Sequence, residues 1–212
     1  MSDDAAHSNG GTPPPAPPRV VATLDTPQAQ ELAVLGAVFD DLQYVLLCCE
    51  HLVTALNSPS TGPVQVDTDA ALVEALWTGA LVGYSRCFAP HPGRLTDEDV
   101  AGLGLDGEVE TFHASIKKLR DLYASRHVNP RESLTIGVAL TNEGAPHGVA
   151  VVSSPQPSVD DPTVRTLGRI AYGLSGLVDA RMAQAQQEVL QAAATMPREE
   201  LRRLPQVQLA GE

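Results

Sequence analysis

His113, Arg120 and His127 stand seven residues apart within DGEVETFHASIKKLRDLYASRHVNP, residues 106–130. Two helical turns return a side chain to nearly the same azimuth, so on a helix these three form one row. Imidazole and guanidinium in such a row suit proton transfer beside an oxyanion. The first titrates near neutrality, and the second offers a planar fork of donors to a phosphate or carboxylate. Asp121 and Arg126 flank the row, and Arg86, in YSRCF, is a further cation near the end of the preceding apolar stretch. Arg126, His113 and Arg86 are accordingly the candidate substrate-binding side chains. A structural reading of the same residues pairs Arg120 with a carboxylate such as Asp40 or Asp41 and uses His127 to close the helix C-terminus. Cys48, Cys49 and His51 cannot gather on one ion unaided, because adjacent helical residues point ~100° apart. No metal site and no cofactor are expected, and the chain has no P-loop, GxGxxG after a strand, HExxH or GxSxG.

The row needs a helix to hold it, and the sequence supplies one. Val109, Phe112, Ile116, Leu119 and Tyr123 fall on one broad face, with Thr111, Ala114, Lys118, Asp121 and Ser125 opposite, so the row lies at the border of core and solvent. Upstream, Thr26 and Pro27 read as a cap and first helical residue. Leu32, Leu35, Phe39, Leu42, Leu46, Cys49, Val53 and Leu56 then repeat in steps of three and four, the seam of a helix packed along others. NSPSTG, residues 57–62, stops it. A second helix carries Val73, Trp77, Ala80, Tyr84 and Phe88, and Thr96 with Asp97, Glu98 and Asp99 begins a short capped turn. Downstream the period changes from helical to alternating in SLTIGVAL and GVAVVS, a hairpin at about residues 133–153. Asp161-Pro162 opens the last long helix, with Val164, Leu167, Ile170, Leu174, Leu177 and Val178 inward. The expected architecture is mainly α: long helices near 27–57, 67–88, 106–127 and 162–195, plus one β-hairpin before the last.

The domain plan is a disordered proline-rich leader over residues 1–25, one helical domain over 26–195 and a frayed tail over 196–212. The net charge of -12 favours solubility and repels phosphate backbones at long range, which counts against a general nucleic-acid coat and leaves room for a local basic site. Cys48, Cys49 and Cys87 form no even disulfide framework and read as buried thiols in a reducing cytoplasm. The start MSDDAAHSNGG lacks the pattern of a secretory signal. The apolar stretch 70–88 is broken by Glu74 and Arg86, so no membrane span is expected.

From Leu119 to Asn129, LRDLYASRHVN resembles the motif of HEPN-domain proteins: an arginine, a polar residue, four to six further positions, and a histidine at the end of a bundle helix. LWTGALVGYSRCF is more loosely similar to the helix before it, and the likeness spans at most residues 66–129. In the form LRDxxxAHxVN, ungapped placement sets Arg126 at the histidine position and His127 one later. If helix continues to His127, however, that residue shares the face of Arg120 while Arg126 sits ~120° away. The resemblance implies a four-helix bundle of HEPN-like type, dimeric across the motif helices, within a toxin or phage-defence system. It also implies metal-independent RNA cleavage by attack of the 2′-hydroxyl on the adjacent phosphate. Arg120 would hold the phosphate, His127 move the proton and Asp121 orient them. The implied partners are RNA, a second copy of the chain, and an antitoxin or other protein. The alternative is a non-catalytic helical module that binds a protein through the hairpin edge or the last helix.

Overall fold

A computed structural model describes residues 20–57, 68–125, 132–155 and 158–208. The chain is mainly helical, with two small antiparallel strand pairs. In order, β1 (Val20–Ala22) leads into α1 (Pro27–Asn57), α2 (Thr68–Cys87), α3 (Asp97–Ala101) and α4 (Val109–Tyr123). Then follow β2 (Glu132–Leu140), β3 (Pro146–Pro155), α5 (Asp161–Thr195), α6 (Arg198–Arg203) and β4 (Gln206–Gln208).

The Thr26 hydroxyl accepts the amide of Ala29 at 3.2 Å, so α1 starts where the Thr-Pro pair places it. Its buried stripe is Leu35, Val38, Leu42, Val45, Cys49 and Leu52, while Phe39, Leu46 and Val53 are only partly covered. The seam is thus rotated from the three-four repeat in sequence. The reason is that α1 is packed by two helices, α2 on one side and α5 on the other, and the wider arc draws in Val38 and Val45. Close approach of α2 depends on Gly79 and Gly83, one turn apart: a Cβ on Gly79 would lie 2.7 Å from the Tyr44 hydroxyl, and one on Gly83 would lie 3.2 Å from Val45. Among the described residues, α1 is the one helix long and apolar enough to cross a membrane by length and composition. In the fold its buried side is packed by α2 and α5.

α4 packs on α2, and the short α3 joins α4 to α5. The α3 start is held by the Thr96 amide donating to Asp99 Oδ2 at 2.8 Å, and Asp99 also pairs with Arg181 of α5. α5 is capped by Asp160, whose Oδ1 accepts the Thr163 amide at 3.0 Å. Asp161, expected as the cap, instead lies in the first turn and pairs with Arg165 and Asn57.

The tail expected to fray from residue 196 carries α6 and β4, and β4 pairs antiparallel with β1, Val21 opposite Val207. Thr23 seals the junction by donating its amide to the Pro205 carbonyl at 2.8 Å. The last part of the expected leader is therefore a strand, because its backbone finds partners in a segment 180 residues downstream that is too short to announce itself as a strand. Residues 1–19 lie outside the described residues.

Candidate functional site

α2 ends in Tyr84-Ser-Arg-Cys87, with Phe88 in the turn that follows, and α4 lies across it with His113, Lys117 and Arg120 on successive turns of the side facing α2. These two helix segments and the turn after α2 build two adjoining environments, one sealed and one open.

The sealed one surrounds His113, which is only 3% exposed. The Tyr84 hydroxyl lies 2.7 Å from His113 Nδ1, and Asp97 Oδ1, at the start of α3, lies 3.1 Å from Nε2. A carboxylate can only accept, so Nε2 carries the proton and Nδ1 accepts from the tyrosine. Lys117 donates to the same Asp97 oxygen at 2.9 Å. The Phe88 ring closes the site, 4.5 Å from the imidazole centroid, with Lys117 Nζ 5.9 Å from the phenyl centroid. Burial pushes the His113 pKa below its usual value, with the Asp97 hydrogen bond opposing it, so the ring favours the neutral form. Lys117 and His113 hold Asp97 below the usual carboxylate range. Burial pushes the Tyr84 hydroxyl far up, so it stays a donor.

His113 lies on the predicted azimuth, where α2 and α3 cover it and both ring nitrogens have partners within the chain. The sequence reading missed Tyr84 and Asp97 as polar partners.

The open environment is a cleft of about 290 Å³ whose lining includes Ser85, Arg86, Phe88, Pro90, Lys117 and Arg120. Three cations therefore share one opening. Arg86 is anchored from behind by Asp41 of α1 at 3.0 Å, a carboxylate that also faces Arg94 at 3.6 Å. Arg94 in turn donates to the Arg86 carbonyl at 2.9 Å. Asp41 is buried and Asp40 exposed, so the carboxylate of α1 that meets a cation meets Arg86 and Arg94 in place of Arg120. Arg120 sits in the last turn of α4, half-covered, with Asp121 at 3.4 Å from one terminal nitrogen. Two buried polar atoms of the lining, Ser85 Oγ and Arg120 Nε, have no hydrogen-bond partner among the described residues. Both unmet atoms thus stand, themselves buried, beside the three cationic side chains of the opening.

Of the residues singled out from sequence, the structure brings Arg86 and Arg120 together, places Asp121 against Arg120 and separates His113 from them. Arg126 and His127 lie outside the described residues, but the helix predicted over 106–127 is shorter: α4 runs from Val109 to Tyr123 with Ala124 as its C-cap and Ser125 already outside it, so α4 does not carry the face of Arg120 on to residue 127. Lys117 and Ser85 are the missed members of the cleft. The available signal was spacing, since Lys117 precedes Arg120 by three residues and shares its side of the helix.

The cysteines do not join this chemistry: Cys48, Cys49 and Cys87 are buried, and burial pushes Cys49 and Cys87 up to about 12. Comparison with protein-family models, with curated proteins and with solved structures finds no match.

Proposed function

We propose that this chain is a HEPN-like four-helix protein that cleaves RNA without a metal ion, using Arg120 and His127. The observation that carries the reading is the gathering of Arg86, Lys117 and Arg120 around one cleft at the ends of α2 and α4. In the proposed reaction the phosphate between two ribonucleotides sits in this cleft. The guanidinium of Arg120 spans two of its oxygens, and Lys117 and Arg86 offset the charge that grows in the transition state. The 2′-hydroxyl attacks the adjacent phosphorus, its proton passes to His127, and the P–O5′ bond breaks with the 5′-oxygen taking a proton from water, giving a 2′,3′-cyclic phosphate and a 5′-hydroxyl. Asp121 holds Arg120 in orientation. His113, neutral and enclosed, has no part in the proton transfer.

The test is cleavage of a mixed RNA by the purified chain and three variants, with thermal melts as folding controls. His127→Ala should lose ~10² to 10⁴-fold in rate, the usual contribution of general acid-base catalysis. Arg120→Lys should fall almost as far, because lysine keeps charge but loses the fork. Arg126→Ala should weaken binding at low salt and leave the chemical step alone. Equal cleavage by wild type and His127→Ala would overturn the reading. A second reading, a non-catalytic protein-binding module, is favoured by the exposed apolar strand pair β2–β3. Absence of cleavage by the wild type would leave that module as the function.

A further inference from the structure

The pair β2–β3 pairs only with itself, and no helix packs along it among the described residues. Its register sets Leu134 opposite Ser153, Ile136 opposite Val151 and Val138 opposite Val149. Directly opposed residues point to one face of a sheet, and so do alternate residues along a strand. Leu134, Ile136, Val138, Leu140, Val149 and Val151 therefore share a face, each between 57% and 76% exposed. The other face carries Ser133, Thr135, Gly137, Ala139, Gly148, Ala150, Val152 and Ser154, mostly small or polar. A strand pair with this alternation has one face written for burial, and nothing in the described chain buries it.

We infer that this face is a homodimer contact, in which the hairpins of two copies stack face to face about a two-fold axis. Three observations point to a second copy as the occupant. First, two strands alone are marginal in water, whereas three or more with a shared apolar face are stable. Stacking two hairpins supplies four. Second, among residues 133–154 only Glu143 carries a formal charge, in the turn, with His147 beside it, and the next charge is Glu132 at the first position of β2. On a chain of net charge -12, such a face is where two copies can meet without like-charge contact. Third, six aliphatic side chains with roughly 80 Å² each still open make a patch of about 500 Å², the upper end of what a monomer leaves in water. Laid against itself, the patch removes about 1,000 Å², the lower bound for a specific interface. A two-fold contact pairs a patch with its own copy, so one self-complementary flat face is enough.

The hairpin edges are poorer docking elements than the face. β3 begins and ends with Pro146 and Pro155, which lack amide donors, and a register irregularity between Ala139 and Leu140 distorts the ladder near the turn. The inference stands apart from the RNA-cleavage reading and moves the expected dimer contact from the α4 row to the hairpin.

The experiment is light scattering coupled to size-exclusion chromatography at micromolar concentration, on the full chain and on Ile136→Thr combined with Val151→Thr. Threonine keeps the strand preference while removing apolar surface from the centre of the face. The wild type should run as two copies of 22.3 kDa. The double variant should run as a monomer, its dissociation constant raised at least about 100-fold, with an unchanged helical circular dichroism spectrum. Tyr172→Thr, which trims an exposed ring of α5, should leave the dimer intact. A monomeric wild type, a dimer that survives the hairpin substitutions, or dissociation by Tyr172→Thr would each overturn the inference. A monomer that sediments with lipid vesicles through this face would assign it to a membrane.

Discussion

Tyr84→Phe isolates the buried hydrogen bond on which the sealed site rests. Tyr84 is fully buried, and the substitution removes one oxygen from a ring that otherwise stays in place, so the cavity term is small. What remains is His113 Nδ1 without a donor, in a ring 3% exposed whose other nitrogen is already committed to Asp97. Stranding one buried acceptor costs about 1–3 kcal/mol. At roughly 2–4 °C per kcal/mol for a domain of this size, the melting temperature should fall by about 2–12 °C. The assay is urea unfolding of wild type, Tyr84→Phe, His113→Leu and the double variant. The double variant should be more stable than the sum of the single losses predicts, by about 0.5–3 kcal/mol, because the second change removes the acceptor that the first stranded. Nitrogen chemical shifts of the imidazole should show the Nε2-protonated tautomer in the wild type. If Tyr84→Phe melts with the wild type, or if the two losses simply add, the Tyr84–His113–Asp97 chain does not hold this end of the fold.

Acid should destabilise the protein in two stages. His113 has its pKa lowered on folding, so the unfolded chain binds more protons, and stability present above the unfolded value of about 6.5 is lost as pH falls below it and through the lowered folded value. Asp97 and Asp99, also lowered, add a contribution present above their unfolded value near 3.8 and lost as pH falls through their folded values. Urea midpoints across pH 8 to 3 check this, and His113→Leu should remove the first stage and weaken the second, because His113 helps Lys117 to lower Asp97; a midpoint that rises between pH 7 and 5 would contradict it. Asp41→Asn takes the charge from the carboxylate that anchors Arg86 and Arg94 and should cost about 1–3 kcal/mol, less than a fully buried pair because Arg86 stays largely in water. An unchanged urea midpoint would show that the arginines hold their places without it. Cys49 and Cys87 should resist alkylation in the folded protein and react on unfolding, read by mass spectrometry, since burial raises both thiols to about 12.

Helix existence and capping were legible because they are local: Thr26 with Pro27 sets the start of α1 wherever the chain goes afterwards. What periodicity could not supply was depth. His113 lies on the azimuth that the row predicts, but whether a border residue meets water or a neighbour depends on Tyr84 and Asp97, brought from 29 residues before and 16 before by the crossing of α2 and the cap of α3. The same gap hid the cleft. Arg86 and Arg120 were visible as cations, while Lys117 and Ser85 joined them only through the packing of α4 on α2. In the hairpin, alternation told which face is apolar and left open what covers it. β4 was illegible because QVQ gains its strand from β1, not from its own three residues.

The central claim is that the Arg120 cleft holds an RNA phosphate during 2′-hydroxyl attack. The most direct measurement compares cleavage, in the presence of EDTA, of a mixed RNA pool and of the same pool carrying 2′-O-methyl groups, by wild type and Arg120→Lys. The account predicts 2′,3′-cyclic phosphate ends from the RNA with the wild type, none from the methylated pool, and a rate at least ~10²-fold lower for Arg120→Lys. Cleavage of the methylated pool, equal rates for the two proteins, or intact RNA throughout would contradict it.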